Sequence, residues 1–473
     1  MCGKSNIAVT KLQIRGTRRQ GERTGSSFSM PREQLRLNFY LQPGAFFGNI
    51  VTVTVNGAGG IFLQGEKRMK DKTGILLVGI GGYGLTYVNG ILGKMGGADW
   101  ELKGVVDPHP EKCPRYEELI KLGIPVFGTL DEFYAKYRAD LAVISSPIQY
   151  HTEQTVEALS RGSNVLCEKP AAATIQDVLK MREERDRSAK VAAIGYQWSF
   201  SDAVQRLKYD ILSGKLGKPL RLKTIVLWPR DRNYYARGWA GRKKDAAGRW
   251  VLDSVAANAT AHYLHNMFYV LGSAPDQSVS LEKITAETYR ANPIENYDTA
   301  AIRARTDKGT ELLFLVSHAV PAEAAKGPDF EYVFEDATVR FKNMPDKKAS
   351  NIIAYFNNGT TINYGAPDED AANKLWKTIE AIREGKPVPC GLEAASAHTI
   401  CINCVQEAVP EPGEFRKELI CFDEEKHITW VKGLAEDLNR CYDKWELPCE
   451  AGAAWARPGG EKQADGYTYF PGE

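Results

Sequence analysis

No stretch of this chain approaches the roughly 20 uninterrupted apolar residues that a membrane-spanning helix needs, so no such span is expected. Cysteine is sparse. The nine in 473 residues are scattered at positions 2, 113, 167, 390, 401, 404, 421, 441 and 449. That excludes a dense disulfide framework and fits a reducing compartment, so a cytoplasmic location is expected. Net charge is nearly absent too, at +2, but the figure averages unlike parts. Residues 1–68 carry ten Lys/Arg against three Asp/Glu, a charge of +7, and the rest of the chain 51 against 56, a charge of −5. The mildly acidic body argues against nucleic acid as a partner. What remains is an ordinary globular composition, 43% hydrophobic and 25% charged, with length for two or three domains. Collagen and a disordered chain are excluded.

The first 68 residues are rich in Arg, Gly, Ser and Thr and show no amphipathic repeat. They read as an irregular extension. A mitochondrial-type transit peptide and an arm around a partner subunit are alternatives. The favoured expectation is a translation start at Met69. Gly65-Glu66-Lys67-Arg68 can be encoded by a purine-only run resembling a bacterial ribosome-binding site.

From Ile75 short apolar runs alternate with helical stretches. Strands are expected at 75–80, 102–107, 125–127, 141–146, 164–167 and 191–196. Helices are expected at 82–95, from Pro110 to Gly123, at 130–138, after residue 146 to 161, and at 173–187. This rhythm predicts βαβ units and a parallel sheet over 69–196. After residue 197 a helix at 200–213 gives way to long period-two runs between 220 and 355, which predict antiparallel strands. Helices at 254–271, 368–384 and 392–407 would cover one face. The other face would need a partner, so a homodimer or homotetramer through the open sheet is expected. Residues 408–473 read as a helical segment with an irregular tail after Pro448. The fold class is α/β, with a Rossmann domain followed by an α+β domain (197–407) carrying a large, mostly antiparallel open sheet.

Gly79-Ile80-Gly81-Gly82-Tyr83-Gly84 follows the first of these strands and opens a helix, and Asp107 ends the next strand 23 residues after Gly84. In that context G-x-G-x-x-G is a dinucleotide fingerprint. Gly79 permits the tight turn, Gly81 the approach of a pyrophosphate and Gly84 the close packing of helix on strand, while the helix N-terminus holds the anion. Asp107 would accept bonds from ribose hydroxyls and repel a 2′-phosphate, so NAD is expected rather than NADP.

Further motifs follow in order: Ser145-Ser146-Pro147 with His151, Val165-Leu166-Cys167-Glu168-Lys169-Pro170, Gly195-Tyr196-Gln197, and Ser213-Gly214-Lys215-Leu216-Gly217-Lys218-Pro219. With the fingerprint, this series resembles the Gfo/Idh/MocA oxidoreductases over residues 74 to about 407. The resemblance implies hydride transfer between NAD(P) and a sugar, cyclitol or glycoside hydroxyl. It implies a cofactor site comprising Gly79, Gly81, Gly82, Tyr83, Gly84, Asp107, Ser145, Ser146, Pro147, His151, Glu168, Lys169 and Gln197. Lys169 takes the role of the family's E-K-P lysine, at the nicotinamide ribose and the reacting hydroxyl, with Glu168 holding it in place. The family's second catalytic element is commonly an Asp and a His four residues apart. Here His262 matches the His and Asn258 replaces the Asp. Positions 258, 262 and 265 would share one helical face toward the substrate. His262 suits the general base, and Lys169 competes for that role. His265 is a second candidate for substrate contact. No further ligand stands at a metal spacing, so no metal is expected.

Residues 228–250 hold five aromatics (Trp228, Tyr234, Tyr235, Trp239 and Trp250) and seven Lys/Arg against two Asp. Aromatic faces stack on sugar rings, so this loop reads as a lid with Arg230 and Trp239 at the substrate, or as an acidic-sugar site if Arg230 and Arg232 point inward. Trp198 stands where family members often carry an Arg-Phe pair and is a further candidate for substrate contact. The resemblance implies two alternative activities: a redox-neutral, NAD-dependent cleavage of glycosides, and a non-catalytic NAD-binding sensor. Cys401 and Cys404 lie within an expected helix and read as structural.

Overall fold

The computed structural model describes residues 51–55, 61–65, 72–95, 99–346, 349–368 and 370–472. The expected start at Met69 lies outside them. In the first unit, strands β1 (Val51–Val55) and β2 (Ile61–Gly65) pair antiparallel. The second unit, Lys70–Glu473, holds everything that follows.

A six-stranded sheet comprises β3 (Thr73–Val78), β4 (Trp100–Val106), β5 (Val126–Phe127), β6 (Leu141–Ile144), β7 (Asn164–Cys167) and β8 (Ala192–Ile194), in the order β5-β4-β3-β6-β7-β8. All its pairs are parallel. Every residue of β3 and β6 is buried, as a parallel sheet covered on both faces requires. Helices α1 (Gly84–Gly93), α2 (Tyr116–Lys121), α3 (Leu130–Lys136), α4 (His151–Ser160) and α5 (Ile175–Ser188) make the crossovers. The order reverses between β3 and β6, so the loops leaving these two strands diverge and open a crevice.

After α6 (Asp202–Leu212) come β9 (Pro219–Leu227), α7 (Arg232–Tyr235), α8 (Ala261–Val270), β10 (Leu281–Arg290), β11 (Thr299–Thr306), β12 (Glu311–Ser317), β13 (Lys326–Phe334), β14 (Ala337–Lys342), β15 (Ile352–Phe356) and β16 (Thr361–Gly365). Helices α9 (Asn373–Glu384) and α10 (Leu392–Ala408) lead to β17 (Gly413–Glu414), the hairpin β18 (Ile420–Asp423) and β19 (Ile428–Val431), α11 (Leu434–Lys444) and β20 (Gly460–Gln463). The large sheet runs β16-β15-β14-β13-β9-β12-β11-β10-β17, with β20 on β10. Its pairs are antiparallel except β12–β9 and β10–β17.

Alternation along β12 sorts its side chains. Leu312, Phe314 and Val316 join the main core with α8 and α10, and Leu313 and Leu315 face the other way. The expectation that this second face lies open for another subunit is corrected here. Over β9, β11 and β12 it is covered by the chain's own C-terminal segment. Leu434, Leu438, Cys441, Leu447 and Trp455 pack on Ile225, Leu227, Ala301, Leu313 and Leu315. Tyr442 and Trp445 of the same segment stack under Lys223.

The tail is less irregular than its Gly and Pro content suggests. Gly459 and Gly460 let it run against other backbone: a Cβ at Gly460 would lie 1.7 Å from the Ala408 carbonyl. Its end is tied by Phe470, which exchanges two hydrogen bonds with Gln176, each of 3.0 Å. Among the described residues no helix is long and apolar enough to cross a membrane.

Candidate active site

A cleft of about 940 Å³ opens at the crevice between β3 and β6. Its floor is the glycine loop. Gly79 has φ +79°, and the Ser145 hydroxyl donates to its carbonyl at 2.7 Å. A Cβ on Gly84 would lie 2.1 Å from that same carbonyl, while Gly81 and Gly82 face open space. Asp107, at the end of β4, accepts from the Ile80 and His109 amides at 2.8 Å each. This locks the loop and leaves carboxylate lone pairs on the cleft. An open cradle over two glycines at the start of a helix, with a carboxylate at the next strand end, fits a dinucleotide.

Ser146 and His151 close one wall. The His151 ring is buried and spans two backbone carbonyls, Ser146 O and Pro170 O, at 2.9 Å each, so it ties the Ser146 turn to the Lys169 turn. Pro147 and Tyr83 line the opening. Gln197 lies beside Tyr83, whose hydroxyl is 3.4 Å from Gln197 Oε1.

Glu168 does not hold the Lys169 ammonium, contrary to expectation. Its Oε1 accepts from the Tyr87 hydroxyl at 2.5 Å and pairs at 2.5 Å with Lys374 Nζ. Lys374, on α9, is fully buried and also donates to Tyr83 Oη and Gly195 O. The signal for it was a lysine on the apolar face of a helix, beside Leu375, Thr378 and Ile379.

Lys169 reaches the other way. Its Nζ donates to Asn258 O at 2.7 Å and Asn258 Oδ1 at 2.8 Å. Burial pulls the amine down to about 8. Glu168 acts against that fall, and Lys374 adds to it.

The segment expected as one helix over 254–271 has a break in it. Val255–Ala259 is a π-helical turn capped by the Ser254 hydroxyl, and α8 starts after Thr260. Asn258 lies in this wider turn, while His262 and His265 lie in α8, where both rings meet Tyr196. Asn258 lines the cleft, and its amide donates to Asp253 Oδ1 at 2.9 Å. Asp253 is buried, accepts from the Gly241 amide at 2.6 Å, and is pushed up to about 6 by burial. His262 is half-buried and edge-on to Tyr196, and its Nδ1 has no partner. Burial, with the Lys169 charge, holds its imidazole well below the usual range.

Two expected substrate contacts lie elsewhere. His265 is 1% exposed, stacked on Tyr196 at 3.8 Å and 3.0 Å from the Ser199 hydroxyl. Trp198 is also 1% exposed; it packs on Tyr263 and Phe341 and donates to Asp368 Oδ1 at 2.8 Å. Both serve the core: Trp198 sits in the turn after β8 and His265 on α8, and both are buried. Arg230 and Trp239 do line the cleft, joined by Tyr234 and Arg237. Arg232 does not point inward; it lies over Phe422 at 3.8 Å. Among the described residues no group of three His, Cys, Asp or Glu is placed to hold a metal.

Fold and glycine cradle together have the form of a dinucleotide-binding Rossmann domain. Residues 73–196 match the family described as "Oxidoreductase family, NAD-binding Rossmann fold" (GFO_IDH_MocA). It is 24% identical over 194 residues to 1,5-anhydro-D-fructose reductase of Ensifer adhaerens, covering 40% of this chain and 55% of that one. It is 31% identical over 149 residues to inositol 2-dehydrogenase of Rhodococcus erythropolis, covering 31% and 42%. These matches span about half the length of the curated relatives. An Agrobacterium radiobacter oxidoreductase, solved with NAD+, L-tartaric acid and magnesium, superposes with a TM-score of 0.60 at 15% identity, over 72% of this chain and 97% of that one.

Proposed function

We propose that this chain is an NAD-dependent dehydrogenase that oxidises a ring hydroxyl of a sugar, cyclitol or glycoside, or reduces the corresponding ketone. The observation that carries this is the Lys169 amine. It is half-buried in the cleft beyond the glycine loop and held by both oxygens of Asn258. A bound nicotinamide supplies the hydride acceptor or donor. The chain's own work is to orient the hydroxyl and move its proton.

Lys169 suits the proton acceptor better than His262. An amine pulled down to about 8 is matched to neutral operation, while an imidazole held well below its usual range is a weak base there. His262 is then the neutral hydrogen-bonding partner that orients the hydroxyl. The Asp253–Asn258 bond orients the Asn258 amide so that its oxygen faces Lys169. The Asp107 carboxylate favours ribose hydroxyls over a 2′-phosphate, hence NAD. The eight described cysteines are free thiols, which supports a reducing, cytoplasmic setting. Any homo-oligomer would use the part of the large sheet's outer face left uncovered around β14 and β15, where Arg340 and Tyr355 are exposed.

The test is a screen of the purified protein with NAD and NADP against cyclitols, hexoses, uronates and glycosides, following reduced-nicotinamide absorbance. Steady NADH formation with a polyol and NAD is expected. Turnover of a glycoside without net NADH would replace this reading with the redox-neutral one. Activity with NADP alone would overturn the role of Asp107.

A further inference from the structure

The charges lining the cleft are segregated. At the dinucleotide end stand Asp107, Glu153, Glu157 and Glu168, with His109 and Lys112. Beyond Lys169 the lining is Arg230, Tyr234, Arg237, Trp239 and Asn258, which contains two guanidiniums and no carboxylate. We propose that these guanidiniums form a subsite for an anionic group on the substrate, a carboxylate or a phosphate. The inference rests on the dehydrogenase reading of the same cleft and names its substrate class.

Neither guanidinium is neutralised inside the protein, although Arg237 also hydrogen-bonds the Tyr234 hydroxyl. Arg230 Nε is buried with no hydrogen-bond partner, and its Nη1 reaches only its neighbour's carbonyl, Pro229 O, at 3.4 Å. Arg237 donates from Nε to the Tyr234 carbonyl at 2.9 Å. Among the described residues neither has a carboxylate within ion-pair distance. Both sit against one ring: Arg230 Cζ lies 5.1 Å and Arg237 Cζ 4.0 Å from the Tyr234 centroid, and Arg237 is also 4.8 Å from that of Trp239. Guanidiniums held on aromatic faces retain donors that the protein does not use, and a guanidinium edge can take a carboxylate or phosphate in a bidentate manner.

Four of the five other cations of this loop are engaged, and the fifth, Arg242, is exposed and does not line the cleft. Arg249 pairs with Asp245, Lys243 with Glu411, Lys244 lies over Trp250 and Arg232 over Phe422. The nearby Asp253 carboxylate is buried and occupied by Gly241 and Asn258, so it does not take the place of an external anion. Anionic chemistry could also come from the cofactor's pyrophosphate. That group already has a cradle over Gly81 and Gly82, so the substrate is the source assigned here.

The experiment compares D-glucose, D-glucuronate and D-glucose 6-phosphate on wild type, Arg230→Gln, Arg237→Gln and the double variant. It measures kcat/KM with NAD, NADH affinity by fluorescence titration, and binding of each sugar to the NADH complex by calorimetry. The expected result is at least a tenfold preference of wild type for an anionic sugar, lost in the double variant, with NADH affinity within twofold of wild type. Arg237, on an exposed stretch, tests the idea without risk to the core, and Arg230→Lys should restore part of the preference.

Loss of NADH affinity without loss of sugar discrimination would assign the guanidiniums to the cofactor and overturn the proposal. Equal use of glucose and its anionic forms would overturn it too, while leaving the dehydrogenase reading intact. Arginine-dependent binding of an anionic sugar without hydride transfer would keep the subsite and sink the dehydrogenase. Neither binding nor turnover of an anionic sugar would end the proposal.

Discussion

Lys169 and Lys374 are two buried lysines with opposite environments. Lys374 is raised by its pair with Glu168 in spite of burial, and Lys169 is pulled down to about 8. If neutral Lys169 takes the hydroxyl proton, kcat should fall as pH drops below about 8, because the protonated amine cannot accept. Lys169→Ala should lose on the order of 10²- to 10⁴-fold in kcat with NADH binding kept. Lys374→Met removes a charge that opposes protonation of Lys169 and frees the Glu168 carboxylate to favour it. Both effects act in one direction, so the acid limb of the pH profile should move to higher pH. A limb that stays in place would show that Lys374 is purely structural. At this scale Lys169 was legible from its motif. Lys374 was not, because nothing local to it names Glu168 as its partner.

Among the elements, the strand–loop–helix unit β3–α1 is the most demanding. Gly84 must lack a side chain, since a Cβ would sit 2.1 Å from the Gly79 carbonyl. Gly84→Ala should therefore force the loop apart and weaken NADH binding by on the order of tenfold or more, about 1.4 kcal/mol, as read by fluorescence titration. This element was readable from sequence because glycine spacing and the strand-to-helix change are local. The π-helical turn before α8 was not. The Asp253–His262 stretch carries ordinary helical periodicity, and nothing in it announces that both Asn258 oxygens meet Lys169, 89 positions earlier in the chain.

For the molecule as a whole, the C-terminal segment acts as the second layer over the large sheet. Leu438 is fully buried there. Leu438→Ala should lower the unfolding free energy by about 2–5 kcal/mol, measured by denaturant titration, with the NADH site unchanged at low denaturant. An unaltered midpoint would mean that the segment contributes little to the fold.

The sequence by itself determined the parallel Rossmann half, the antiparallel character of the second sheet, and the strand-end positions of the glycine loop, Asp107 and Lys169. Each depends on period, spacing or motif within a short stretch of chain. Tertiary structure decided the rest: Glu168 held by Lys374, the Asn258 oxygens on Lys169, Trp198 and His265 in the core, Arg237 beside Arg230, and a sheet face covered by the chain's own end. An apolar or charged side chain announces that it needs a partner, but which partner it gets depends on segments far away in sequence that only the folded chain brings together.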